Sequence, residues 1–281
     1  MVNSLYENTL QELESHGIED SPFETDVIFE EIFGRDFRLK LMTGALKREE
    51  TESEASRLQE MLRRRLSGEP LQYIVGRWDF YRGEFSVGEG VLIPRQDTET
   101  LVESALRLVK DIKSPKILDL CSGTGCIAIT LSELLPESEV HAVELYDDAY
   151  SYLEKNISDH GNRVIPHKLD VLSPDSVKEF RDFDLITCNP PYLTEQDMQA
   201  LQPEVTHEPV TALYGGPDGL DFYRKLPIIW KPSLKQDGYI AFEIGASQGE
   251  AVKEILEDVG YKNVRIIQDL CGKDRTVVAK L

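Results

Sequence analysis

The chain has 281 residues, enough to bury a full core and to form two domains. Hydrophobic residues make up 41% and charged residues 29%, the balance of a soluble globular protein. The net charge of −20 divides as 9 Lys+Arg against 16 Asp+Glu in residues 1–70 and 22 against 35 in the rest, which disfavours tight binding to a polyanion and suits a basic protein partner. No apolar run approaches membrane-spanning length, and the N-terminus is acidic and polar, unlike a signal peptide, so the expected location is cytoplasmic. The four cysteines, at 121, 126, 188 and 271, form no Cys-x-x-Cys pair and have no histidine cluster beside them; buried reduced thiols are expected, with no metal.

Residues 3–66 read as helical. Ser21-Pro22-Phe23-Glu24 has the form of a capping box with proline in the first turn, and Gly34 is a stop. A second clear helix starts near Thr51 or Ser53, with Leu58, Met61, Leu62 and Leu66 on one face. Its Arg63-Arg64-Arg65 run is expected to be a solvated face near the helix C-terminus. Gly68-Glu69-Pro70 breaks the pattern. Residues 71–95 read as a β-hairpin linker built from Phe80-Tyr81, Phe85-Ser86-Val87 and Val91-Leu92-Ile93. Residues 1–70 thus form a small helical bundle, and 96–281 a second domain that opens with a helix capped by Asp97 or Thr98.

From Lys116 the pattern alternates strand and helix. Strands are expected at 116–120, 140–144, 163–169, 183–188, 238–244, 263–268 and 275–280, and helices after Gly125, from Asp147 to Gly161, around 220–235 and at 247–258. This is a doubly wound, seven-stranded α/β sheet. Gly123-x-Gly125-x-x-Ala128 matches a dinucleotide fingerprint, with Glu144 at the spacing of a ribose ligand. By itself that fits NAD as well as S-adenosylmethionine. Asp119, four residues before Gly123, and Asp170, at the end of the third strand, favour the second. Asp170 could instead cap a helix ahead of Ser173-Pro174.

The deciding stretch is Phe183 to Tyr192, a buried strand running into Asn189-Pro190-Pro191-Tyr192. Each proline fixes its own φ and holds the preceding residue extended, so an amide, a carbonyl and an aromatic face are presented at a strand's C-terminal end. Ligands sit there in open α/β sheets. The Asn189 Oδ1 and the Pro190 carbonyl could hold both N–H bonds of a planar nitrogen and favour pyramidal geometry, with Tyr192 stacked on its plane. That serves methyl transfer to an amide or aromatic amine; hydride transfer has no use for it.

The sequence resembles the HemK/PrmC family, the protein-(glutamine-N5) methyltransferases of peptide chain release factors. The resemblance spans nearly the whole chain: Glu69 to Gly76, Val91 to Arg95, Asp119 to Ala128, Asn189 to Tyr192, and Glu208-Pro209 through Ala212 to Gly216 and Gly219 to Tyr223. It implies a Rossmann-like class I methyltransferase fold and S-adenosylmethionine as donor, with S-adenosylhomocysteine as product. Asp119, Cys121, Ser122, Gly123, Thr124, Gly125, Glu144, Asp170, Val171 and Asn189 would line the donor site. Asn189, Pro190, Pro191 and Tyr192 would hold the glutamine of the release factor's Gly-Gly-Gln loop, and the N-terminal bundle would help dock that protein. Two departures stand out: Gln96-Asp97 replaces the usual Pro-Glu, and Cys121 replaces a glycine common in the family. Because the tetrapeptide is shared with N6-adenine methyltransferases, a nucleic-acid substrate is the first alternative, although no basic cleft or target-recognition region is evident. A non-catalytic cofactor-binding scaffold is the second.

Overall fold

The computed structural model describes residues 2–43 and 51–281; the part of the helical reading that falls on 44–50 lies outside them. The chain divides into two units, residues 1–76 with 203–207, and residues 77–202 with 208–281.

The first unit holds α1 (Val2–Ser15), α2 (Ser21–Phe33), α3 (Phe37–Met42), α4 (Glu52–Leu66) and α5 (Leu71–Val75). Its core gathers Leu13, Ile28, Phe29, Phe37, Leu58, Met61 and Leu71. The start of α4 is a reciprocal capping box: Glu54 N–H donates to Thr51 Oγ1 at 3.2 Å, and Thr51 N–H to Glu54 Oε2 at 2.8 Å. The box expected at Ser21 does not form. Ser21 is already inside α2, its hydroxyl donates back to the Ile18 carbonyl, and Glu24 accepts from Arg65 Nε at 2.6 Å instead. Arg65 therefore departs from the solvated-face reading: it is 5% exposed and also pairs with Glu204. Arg63 keeps to that reading, paired with Glu60 at the surface.

The second unit opens with a hairpin, β1 (Arg77–Phe80) and β2 (Gly83–Ser86). The hairpin ends there. Residues 71–75 are the helix α5, and Val91–Ile93 belongs to no strand. There follow α6 (Glu99–Val109), β3 (Lys116–Leu120), α7 (Cys126–Leu134), β4 (Glu139–Glu144), α8 (Asp147–Asp159), β5 (Val164–Lys168) and β6 (Phe183–Cys188). Two short helices, α9 (Glu195–Met198) and α10 (Val210–Leu213), precede α11 (Asp221–Trp230), β7 (Leu234–Glu243), α12 (Gly249–Asp258), β8 (Lys262–Gln268) and β9 (Asp274–Lys280).

The seven strands run in the order β5-β4-β3-β6-β7-β9-β8. All pairings are parallel except those of β9, which runs antiparallel to both neighbours. Because side chains alternate across a strand, the sheet feeds two cores. Ile117, Val140 and Leu185 face α6, α7 and α8, while Leu118, Leu120, Ile186 and Phe242 face Leu226, Trp230 and Val252 of α11 and α12. All six residues of β6 are buried, as expected for a central strand covered on both faces. Pro166 sits in β5, an edge strand, where a missing N–H is tolerated. Between β3 and β6 the order of winding reverses, which opens a crevice outside their C-terminal ends. Among the described residues no helix is long and apolar enough to cross a membrane, and no group of three or more His, Cys, Asp or Glu is placed to hold a metal ion.

Candidate active site

A cavity of about 220 Å³ occupies that crevice. Its floor is the turn from β3 into α7. Ser122 fastens this turn to the neighbouring strand, donating its N–H to the Val143 carbonyl at 2.9 Å and accepting from Val143 N–H at 3.1 Å. Gly125 has φ +81°, and a Cβ there would meet Leu153 Cδ1 at 2.6 Å, so only glycine lets α7 start this close to α8. Cys121 also takes a left-handed φ, +56°, which accounts for the preference for glycine at this position. The Cys121 side chain reaches that of Cys188 at the end of β6; burial, then this contact, raises the Cys188 thiol well above its usual range.

Glu144 closes the floor. One carboxylate oxygen accepts from Gly123 N–H at 2.9 Å; the other accepts from Leu145 N–H at 2.8 Å and Tyr146 N–H at 3.0 Å. A carboxylate has about four lone-pair sites, so one, on the Gly123 side, is left for a ligand hydroxyl. Asp170 caps no helix, since the next helical turn starts at Ser176; its Oδ1 accepts from Leu172 N–H at 2.8 Å within a turn, and its exposed side chain lines the cavity.

The opposite wall is the segment Val91–Arg95, held by Glu208. That carboxylate, 3% exposed, accepts from Ile93 N–H at 3.2 Å and pairs with Arg95. Burial raises Glu208 above the usual carboxylate range, with Arg95 opposing the rise.

Asn189 enters the cavity from the end of β6, and its Nδ2 donates to Thr98 Oγ1 at 3.4 Å. The chain after it is braced. Leu193 forms a parallel bridge with Tyr214, and Gly215 lies against the tetrapeptide so closely that a Cβ would stand 2.6 Å from the Pro191 carbonyl oxygen. Gln248 completes the brace, donating from Nε2 to the carbonyls of Tyr192 at 2.9 Å and Gly219 at 3.2 Å while its Oε1 accepts from Gly245 N–H.

Comparison with known proteins bears on this geometry. Residues 4–76 match the family model described as "PrmC N-terminal domain", and 97–215 match "Methyltransferase small domain". The release factor glutamine methyltransferase of Fusobacterium nucleatum is 35% identical over 98% of this chain and 78% of its own length. That of Geobacter sulfurreducens is 37% identical over 96% and 93%. The chain belongs to the HemK/PrmC family of release factor glutamine methyltransferases. A structural likeness to the hMettl16 catalytic domain, solved with a MAT2A 3'UTR hairpin, shows the shared fold alone: 16% identity and TM-score 0.56 over 82% of this chain and 81% of that one.

Of the residues expected at the donor site, Cys121, Ser122, Gly123, Thr124, Glu144, Asp170, Val171 and Asn189 line the cavity, as does Pro191. Four residues do not. Asp119 is fully buried and turns along the sheet, its Oδ1 accepting from Thr187 Oγ1 at 2.7 Å across the β3–β6 pairing. Gly125 is spent on the α7–α8 approach. Pro190 is buried between Asn189 and Pro191, and the Tyr192 ring packs against the core beneath α11. Sequence reasoning missed Thr98, Gln248 and Glu243 as parts of the site. Glu243 alone left a signal, a carboxylate closing the apolar run Tyr239-Ile240-Ala241-Phe242.

Proposed function

We propose that this chain transfers a methyl group from S-adenosylmethionine to the side-chain amide nitrogen of a glutamine in a peptide chain release factor, the glutamine of its Gly-Gly-Gln loop. The observation that carries the reading is Asn189 in the wall of the cavity built by the glycine turn, in a chain of this family. The donor fits the residues present: Glu144 keeps one free acceptor site for a ribose hydroxyl, Asp170 offers a carboxylate at the cavity edge, and the Cys121–Thr124 turn lets backbone approach a ligand. When bound, S-adenosylmethionine supplies an electrophilic methyl group on sulfonium.

The chain's own contribution is to hold the nucleophile. An amide lone pair is delocalised, and Asn189 Oδ1 together with the Pro190 carbonyl, which does not line the cavity here and would have to turn toward the bound acceptor, would draw both N–H bonds out of the amide plane, localising the pair for attack. As the new N–C bond forms, the methyl–sulfur bond would break with its electron pair left on sulfur, S-adenosylhomocysteine would leave, and the nitrogen would release one of its protons to water. A carboxylate in place of the amide would set lone pairs against two acceptors, a mismatch of about 1–3 kcal/mol or more. Residues 1–70 are proposed to serve protein docking. The test is incubation with labelled donor and purified release factor. Label should appear on the factor, disappear when its loop glutamine is replaced by glutamate, and form no methyladenine on added DNA. Methyladenine with an unlabelled factor would reverse the assignment.

A further inference from the structure

The Asn189 side chain carries one oxygen and one NH₂, and only the oxygen can accept an N–H of the substrate amide. In the flipped orientation the site would meet a donor with a donor. Fixing the amide one way round is therefore a condition of the reaction proposed above.

The surroundings contain a device for doing so. Asn189 Nδ2 faces Thr98 Oγ1 at 3.4 Å, and Thr98 is 2% exposed, so solvent does not compete for its hydroxyl. Within reach of that hydroxyl, at the end of β7, the strand paired with β6, lies the carboxylate of Glu243, whose charged form Thr98 favours. Glu243 is 1% exposed, and its Oε2 has no partner among the described residues. Arg275, held between Asp97 and Asp269, faces the carboxylate and supports its charge. A buried carboxylate with an unpaired oxygen is unfavourable as packing, and a neutral side chain of the same shape would cost less. The charge is explained by direction. An ionised carboxylate only accepts, so Thr98 must give its single proton to Glu243. Thr98 can then only accept from Asn189, which admits Nδ2 and rejects Oδ1.

We infer that Glu243 and Thr98 are positioning residues for methyl transfer: a one-way hydrogen-bond relay, Asn189 to Thr98 to Glu243, holds the Asn189 amide with Oδ1 toward the acceptor nitrogen. This rests on the reading of the chain as a glutamine methyltransferase.

Glu243→Gln keeps the shape but adds a donor, which lets Thr98 turn its proton toward Asn189 and the amide flip. Assays at about pH 8.5 keep Glu243 ionised, since burial raises its carboxyl to about 7. Glu243→Gln and Thr98→Val should each lower kcat on a release factor about tenfold or more, with the S-adenosylmethionine dissociation constant, by calorimetry, within about threefold of wild type. Thr98→Ser should restore most of the rate, and the double variant should be no slower than Thr98→Val, because both changes break one chain. A second readout is independent of activity. The Asn189 side-chain ¹⁵N–¹H signals, identified by their absence in Asn189→Ala, should exchange slowly with solvent in wild type and Thr98→Ser, and fast in Thr98→Val. Wild-type kcat in both Glu243→Gln and Thr98→Val, or unchanged exchange in Thr98→Val, overturns the relay. If the wild type labels no release factor while the exchange pattern holds, the substrate reading fails and the relay stands as a property of Asn189.

Discussion

At the residue scale, the proposed reaction gives Asn189 to the acceptor and Glu144 to the donor, and substitution should separate the two roles. Asn189→Ala is expected to cost ~2.7–4 kcal/mol of barrier while donor binding stays close to wild type. Glu144→Ala should instead weaken donor binding first, in equilibrium titration, because it removes the free acceptor and releases three backbone N–H groups. Asp119 behaves differently. Burial raises its carboxyl to about 7, with Thr187 and Ser122 hydrogen bonds opposing. A raised carboxyl binds its proton more tightly in the native state, so the stabilisation is full below the unfolded value near 3.8 and is lost as pH rises through about 7. Urea denaturation should therefore show wild type losing stability relative to Asp119→Asn between about pH 4 and pH 7; a difference independent of pH would refute this. That Asn189, Glu144 and the Cys121–Thr124 turn would share one cavity was legible because their patterns are local. Asp119 stands outside the cavity because its partner, Thr187, lies on another strand, and only the β3–β6 register brings them face to face. The same holds for His141 and His167, scattered in sequence yet 2.8 Å apart on paired strands.

At the scale of elements, strand β6 and its Asn-Pro-Pro-Tyr ending were readable because a strand buried on both faces is mostly apolar and prolines end it without ambiguity. Val91-Leu92-Ile93 has the apolar, β-favourable composition of a strand and is not one. Its Ile93 N–H goes to Glu208, 115 positions along the chain, and no strand neighbour is needed once that donor is satisfied. Ser21 shows the same competition, since Glu24 prefers the buried Arg65 to a local cap. The Gly215 brace is the element most exposed to test. Gly215→Ala places a methyl against the Pro191 carbonyl, a backbone atom that cannot turn aside, and should destabilise the protein by about 1–3 kcal/mol in denaturant titration. Turnover should fall further than stability accounts for, because the displaced segment carries Asn189. Full activity in this variant would show that the tetrapeptide holds its position without the brace.

At the scale of the molecule, the seven strands and their winding with helices on both faces followed from the alternation of apolar runs with helical segments, while the order of the strands came only with the structure. The antiparallel setting of β9 did not follow either, because strand direction is fixed by connection length and by what each face must cover. Every residue lining the cavity lies beyond residue 89. A chain shortened to begin at Arg77, if its circular dichroism shows it folded, should bind donor like the full chain. It should methylate an intact release factor poorly while retaining activity on a short peptide containing the Gly-Gly-Gln sequence. Equal rates on the intact factor would remove the docking role from the bundle.

The three amide hydrogens held by Glu144 share one anchor. Gly123 belongs to the turn after β3, and Leu145 and Tyr146 to the turn after β4, so two stretches of chain open only if the same carboxylate lets go. In deuterated solvent the three sites should exchange as a group, at a common rate set by one opening event. Adding donor should slow all three by the same factor, which makes them a built-in gauge of how far the pocket is assembled before anything enters it.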